Sequence, residues 1–507
     1  MHLASGKRPG FSDRQPSTVY AAPVASGAVA RVDSWLGGRV ESALRHHHGR
    51  RLKRAGQLPR LDPPEGAGPP WAAGDPWPRP GNQLDVVIDG AQALPALADA
   101  LTNARASVHI AGWHVTPEFG LTRDADARRL RDLLGELAER VSVRVLLWAG
   151  APVPLFHPTR AAVRRTRDAL ARGTNVRVAL DARERPLHCH HEKIVVIDGA
   201  VAFVGGIDLT SLGGDRFDSS AHPMQSRLGW HDVATCLRGP AVADVAGHFD
   251  ARWSELTGEA LDAPAALQPA GEHEVQVVRT VPENVYKFLP HGDFRILEAY
   301  IRALRSARTL IYLESQFLWS PELVTILVDK LRRPPTDGFR LVVLLPAHPN
   351  NGADSTHGQL GVLAEADAGN GRFLATTLSA RSGALTAPLY VHAKVAVVDD
   401  VWLTIGSANL NDHSLFNDSE VNLVTCDAAL ARDTRLRLWS EHLEQPLDAI
   451  SGDPTRIVDE LWRPIAAEQL ARRRRDDPPT HRLRELPGVS RRSKALLGPL
   501  DGLLVDA

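Results

Sequence analysis

The sequence predicts an α/β protein of two pseudo-twofold-related α-β-α sandwich domains, with mixed, mostly parallel central sheets and an active site at their interface. Three observations predict it. From Leu84 onward, short Val- and Ile-rich runs alternate with longer amphipathic stretches, the pattern of βαβ units whose helices cover both sheet faces. The order of these elements recurs after about 200 residues, which implies an internal duplication. One strand-like segment carries the same polar residues in both halves: HEKIVVID from His191 to Asp198, and HAKVAVVD from His392 to Asp399.

Residues 1–82 are a Pro- and Arg-rich segment, expected to be partly disordered, with 11 Lys and Arg against 3 Asp and Glu in the first 60 residues. An amphipathic helix is expected between Ala30 and Ala55, with Val32, Trp35, Leu36, Val40 and Leu44 on one side and His46, His47 and His48 as a solvated patch. The first domain, 83–260, reads as helix Ala93 to Ala106, strand Val108 to Trp113, helix Arg128 to Arg140, strand Val143 to Trp148, helix Thr159 to Arg172, strand Val176 to Leu180, then the first motif. An Ala/Pro-rich linker, 261–272, leads to the second domain, 273–465. That domain reads as helix Ile296 to Ser306, strand Thr309 to Glu314, helix Pro321 to Leu331, strand Arg340 to Leu345, then the second motif. Residues Asn350 to Gly358 read as a flexible loop, and 466–507 as a basic tail that includes Arg472 to Arg475.

Composition bounds the function. A net charge of -1 is no global nucleic-acid signature, and three cysteines without CxxC spacing argue against a disulfide framework or structural zinc. No run of about 18 apolar residues is present, so the chain reads as cytoplasmic, with the basic segments as candidate contacts to an anionic membrane surface.

Each motif presents an imidazole beside an ammonium, because residues i and i+2 of a strand share a face. The aspartate follows in the turn. Two-fold pairing brings His191 and Lys193 opposite His392 and Lys394. One imidazole then attacks an electrophile while the other protonates the leaving group. Two converging lysines select an anionic electrophile, and Gly205, Gly206, Ser407 and Asn409 offer further donors. The chemistry that fits is phosphodiester cleavage through a covalent phosphohistidine, with no metal or other cofactor. Carboxylates must orient the imidazoles, and Asp198, Asp399, Asp232 and Glu420 are the candidates. A metal site at His188, Cys189, His190 and His191 is the competing reading. Alternation along a strand keeps the four from converging, and the second copy lacks the cluster. Trp113, Trp148, Trp230 and Trp253 read as core or cleft wall, and His231 beside Asp232 as a structural hydrogen-bonded pair.

These residues resemble the phospholipase D superfamily, whose signature is the duplicated HxKxxxxD, and within it the phospholipases D that act on phosphatidylcholine. The flanking segments carry the likeness over roughly Leu84 to Pro464: Gly112-Trp113, Gly205-Gly206-Ile207-Asp208-Leu209, Trp230-His231-Asp232-Val233, Tyr312 to Phe317, Gly406 to Asp412, and Asp418-Ser419-Glu420. Asp208 stands where the second half has Asn409, and Ser315 where the family usually has Asn. The resemblance implies hydrolysis of phosphatidylcholine-like lipids to phosphatidic acid, with transfer to alcohols as a second outcome. It implies His191 as nucleophile, His392 as general acid, and Asp198, Asp399 and Glu420 as orienting groups. It leaves open a cardiolipin synthase-like transfer and a nuclease with the same chemistry. With both motifs in one chain, a monomer with a phospholipid substrate is expected.

Overall fold

The computed structural model describes residues 42–61, 68–124, 127–152, 157–184, 188–261, 267–349 and 353–486. First-half strands are Arg79–Ile88 (β1), Ser107–Gly112 (β2), Ser142–Trp148 (β3), Arg177–Asp181 (β4), Ile194–Ile197 (β5), Val201–Gly205 (β6), Gly229–His231 (β7) and Val233–Arg238 (β8). The second half has His273–Val281 (β9), Asp293–Phe294 (β10), Leu310–Glu314 (β11), Arg340–Leu344 (β12), Phe373–Thr377 (β13), Ser379–Ser382 (β14), Leu385–Val391 (β15), Val395–Val398 (β16), Trp402–Gly406 (β17), Glu420–Thr425 (β18) and Arg484–Glu485 (β19).

The duplication is legible strand by strand. Outward from the centre, β1-β8-β6-β5-β2-β3-β4 on one side matches β9-β18-β17-β16-β11-β12-β13 on the other, with β19 added at the second outer edge. The protein is α/β with a mixed sheet, as expected, but the halves do not keep separate sheets. Antiparallel pairing of β1 with β9 makes one 16-stranded sheet among the described residues. Within that sheet, parallel pairing is confined to β2-β3-β4 and β11-β12-β13. There, helices such as Leu130–Leu137 and Pro321–Arg332 supply the crossovers that parallel strands need. The inner strands run antiparallel, and β5–β6 and β16–β17 do so through tight reversals. The strands read as fully apolar because helices cover both faces, as Ile296, Leu297, Tyr300 and Leu304 of helix Arg295–Ser306 do on one side of the second half.

Several terminal and loop segments differ from expectation. Residues 42–54 are helical, while the expected helix's earlier residues lie outside the described ones. His48 is buried, with its ring stacked on Phe416 at 3.8 Å and Nδ1 2.8 Å from Glu322 Oε1, so it is no solvated patch. Beside it the Arg51 guanidinium donates to Glu283, Asn417 and the Phe416 carbonyl. The described part of the N-terminal segment thus clamps the second half. Arg472 to Arg474 form the last turn of helix Arg463–Arg474, where cations complement the helix dipole, and β19 joins the sheet beyond it. Residues 466–486 are therefore folded, and the remainder of the expected tail lies outside the described residues. Of the expected loop, 350–352 is outside the described residues and Ala353–Asp367 is helical. No helix of the described residues is long and apolar enough to cross a membrane.

Candidate active site

The two halves exchange short segments where the motifs begin. His190 bridges in parallel to Ser419, and the His191 amide donates to the Ser419 carbonyl at 2.9 Å. In the other half β15 pairs in parallel with β7, and the His392 amide donates to the His231 carbonyl at 2.8 Å. His191, Lys193, His392 and Lys394 precede strands β5 and β16 rather than lying within them, as the strand reading had it. All four are buried.

Each exchange brings a carboxylate to the opposite histidine. His191 Nδ1 is 2.9 Å from Glu420 Oε1, and His392 Nδ1 is 2.7 Å from Asp232 Oδ2. With Nδ1 engaged on both rings, Nε2 is the atom available for chemistry. Ser407 and Ser414 hydroxyls donate to Glu420, and the Val233 amide donates to Asp232 Oδ1 at 2.8 Å. Burial pushes the Glu420 carboxyl up to about 8 against the pull of Lys193 and the two serines. Burial likewise raises Asp232 to about 6, opposed by Lys394 and by the Val233 amide. Burial and the cations Lys394, Arg216 and Lys193 hold His392 well below the usual imidazole range, so its ring is neutral near pH 7.

Both lysines fold back onto their own motif, each Nζ donating to the carbonyl of the histidine two residues before. Lys193 Nζ also lies 3.4 Å from Asp208 Oδ2. Lys394 Nζ instead lies 3.4 Å from Gln316 Oε1, which Asn409 Nδ2 also approaches at 3.4 Å. Gln316 Nε2 in turn donates to the Tyr390 hydroxyl.

The remaining expected residues have other tasks. Gly206 is needed for space: a Cβ there would meet Asp232 Oδ1 at 2.0 Å. Its amide is committed to the Val233 carbonyl, and Gly205 closes β6 against Ala234. Ser407 serves Glu420. Asp198 and Asp399 sit at the far ends of β5 and β16, roughly 16 Å of extended chain beyond the lysines. Asp198 accepts from the amides of Arg105, Ala106 and Ser107, and Asp399 from those of Arg308, Thr309 and Leu310. Both adopt positive φ, 55° and 52°, in three-residue reversals that Asp tolerates. They fix the turn to the start of β2 or β11, and do not orient the imidazoles.

Sequence reasoning missed Gln316, Tyr390, Ser414 and Arg216 as site residues. Trp230 does form cleft wall, its ring 4.6 Å from His392, whereas Trp148 and Trp253 are core. His231 is structural, bridging Asp89 at 3.0 Å and Glu314 at 2.9 Å. Donor atoms of Asp89, His222, His231 and Glu441 lie within 4.8 Å of one another, a donor set a divalent ion can use. Here they contact one another as His–carboxylate hydrogen bonds of 2.8 to 3.0 Å.

A family model described as "Phospholipase D" matches residues 100–229, and one described as "Cardiolipin synthase, PLD-like domain" matches 300–440. Each takes in one His-Lys pair. Phospholipase D A of Dictyostelium discoideum is 26% identical, with 70% of this chain aligned to 35% of that protein. Phospholipase D2 of Bos taurus is 25% identical, over 71% of this chain and 50% of that protein. This chain thus spans half or less of the length of these relatives. A phosphatidylserine synthase structure from Haemophilus influenzae aligns with a TM-score of 0.49 at 11% identity, over 77% of this chain and 94% of that one. Two strand-for-strand halves, each matched by such a model and each bringing a His-Lys pair to one buried centre, make this chain a member of the phospholipase D superfamily.

Proposed function

We propose that the protein is a phospholipase D-type phosphodiesterase that hydrolyses glycerophospholipids such as phosphatidylcholine to phosphatidic acid and head-group alcohol, and transfers the phosphatidyl group to other alcohols. The observation that carries this is the crossed pair of buried imidazoles, each held through Nδ1 by a carboxylate of the other half. In this reading His191 Nε2 attacks phosphorus, an N–P bond forms, and the P–O bond to the head group breaks. Lys193 and Lys394 hold the non-bridging oxygens. A phosphodiester anion offsets the cations that keep His392 neutral and raises its proton affinity, so that the ring takes a proton from water as substrate binds and then gives it to the leaving oxygen. The neutral His392 then takes a proton from water or alcohol, which attacks phosphorus and releases His191. No step needs a metal.

A lipid is favoured over a small soluble diester by a cavity of about 540 Å³ running from Tyr390, lined by Leu228, Leu378, Pro388, Leu389 and Leu470. Arg473 and Arg484 stand in the same wall, which supports peripheral contact with an anionic membrane. The protein then acts as a monomer on the cytoplasmic side, with phospholipid and not nucleic acid as partner.

The test is incubation of the purified protein with phosphatidylcholine vesicles, EDTA and ethanol. Phosphatidic acid and phosphatidylethanol are expected from wild type and absent with His191→Ala or His392→Ala. Cleavage of oligonucleotides with no lipid product would reject the lipid reading. A second reading, phosphatidyl transfer between two phosphatidylglycerols, is favoured by the family model over 300–440. Cardiolipin formed from phosphatidylglycerol vesicles faster than phosphatidic acid from phosphatidylcholine would select it.

A further inference from the structure

Arg216 is a buried guanidinium with an unusual set of neighbours. It is 4% exposed, and its Nε and Nη1 have no hydrogen-bond partner. Its Cζ lies 3.2 Å from the centroid of the Trp230 ring, a close cation–π contact. Trp230 is itself fixed: its Nε1 donates to the Gly213 carbonyl, and a Cβ on Gly214 would strike that nitrogen at 2.1 Å. The loop carrying Arg216 is therefore wrapped on the indole that stands 4.6 Å from His392 and 4.7 Å from Tyr390.

The carboxylates whose charge reaches Arg216 are Asp208 and Asp232, and both already serve the site. Asp208 is beside Lys193, and Asp232 holds His392. A buried charge is ordinarily paired and hydrogen-bonded, because taking it out of water is costly. Arg216 has two unused donors, a fixed plane and a place between the two half-sites. The guanidinium is a planar fork, whose paired donors can meet two oxygens of one phosphate at once. A lysine at this position would keep the charge and lose the plane.

We propose that Arg216 is a third cationic ligand of the substrate phosphoryl group, donating from its fork to the non-bridging oxygens that Lys193 and Lys394 also hold. The assignment rests on the phosphodiesterase reading of the site. It adds a group that neither the paired motif nor its spacing points to.

Tungstate, a phosphate mimic, tests it without relying on turnover. Arg216→Met and Arg216→Lys are compared with wild type by thermal unfolding with and without tungstate, then by kcat/KM on phosphatidylcholine. Removal of an unpaired buried charge predicts that Arg216→Met unfolds, without tungstate, at or above the wild-type temperature. Its tungstate affinity should fall at least about tenfold and its kcat/KM by about 10²- to 10³-fold, as for loss of one preorganised donor. Arg216→Lys should fall between the two. An Arg216→Met protein that melts lower yet binds tungstate like wild type would make the guanidinium a packing group and overturn the assignment. Should Arg216→Met not fold, wild-type tungstate affinity in Arg216→Lys would overturn it equally, and weakened affinity there would support it. Wild type that binds tungstate through Arg216 but leaves lipid intact sinks the lipid reading alone.

Discussion

The two half-sites share a strand plan and differ in their chemistry. Lys193 is accompanied by a carboxylate, Asp208, whereas Lys394 has the amide of Gln316. Glu420, which holds His191, takes two serine hydroxyls. Asp232, which holds His392, takes a backbone amide and has Gly206 packed against it. Backbone symmetry brings the two imidazoles to one place. These substitutions around them make the imidazoles inequivalent, and inequivalence is what a nucleophile and a general acid require.

The largest effect should come from the histidines. Either His→Ala change should lower kcat/KM by about 10⁴-fold or more, since residues acting as one unit fail together. Their inequivalence appears in trapping: alkaline denaturing quench of His392→Ala with radiolabelled lipid, which preserves an acid-labile N–P bond, should leave label on His191, and His191→Ala should retain none. Label in the reverse variant would exchange the roles. Next come the carboxylates. Asp232→Asn and Glu420→Gln should cost about 10²- to 10⁴-fold in kcat through loss of imidazole orientation. Asp198→Asn and Asp399→Asn should leave kcat near wild type and lower stability by about 1–3 kcal/mol each, measured by urea unfolding, because they lose charged acceptors of backbone amides. A kcat collapse in the motif aspartates with unchanged stability would contradict their placement.

The smallest effect is on pH. Burial raises the Glu420 carboxyl to about 8, so from the ordinary carboxylate range up to about pH 8 the folded chain keeps a proton the unfolded chain has released. The folded state binds more protons there, and stability must fall as pH rises through that window. Asp232 adds a narrower fall ending near pH 6. Glu420→Gln should therefore lose less melting temperature than wild type between pH 5 and 8. Parallel curves would remove this part of the asymmetry.

The sequence made the histidines, the lysines and the duplication legible because a repeated pattern is visible without a structure. It also named Glu420 and Asp232 as orienting candidates. Asp198 and Asp399 belong to the same motif, yet a four-residue strand separates them from the chemistry. Adjacency in a motif says nothing of distance once the strand is extended. Arg216 and Gln316 lie in irregular segments with no period to mark them, and only the fold shows Trp230 and Lys394 beside them. His48 looked solvated because its partners, Glu322 and Phe416, are hundreds of residues away.

The β1–β9 seam has a mechanical consequence. His191 and His392 belong to wings of a single hydrogen-bonded plank, so the described sheet runs unbroken between them. A continuous sheet opposes the hinge closure by which two-lobed enzymes shut around a ligand. In the proposed reaction, exchange of a departing alcohol for water then falls to the open mouth of the cleft rather than to a swing of its walls.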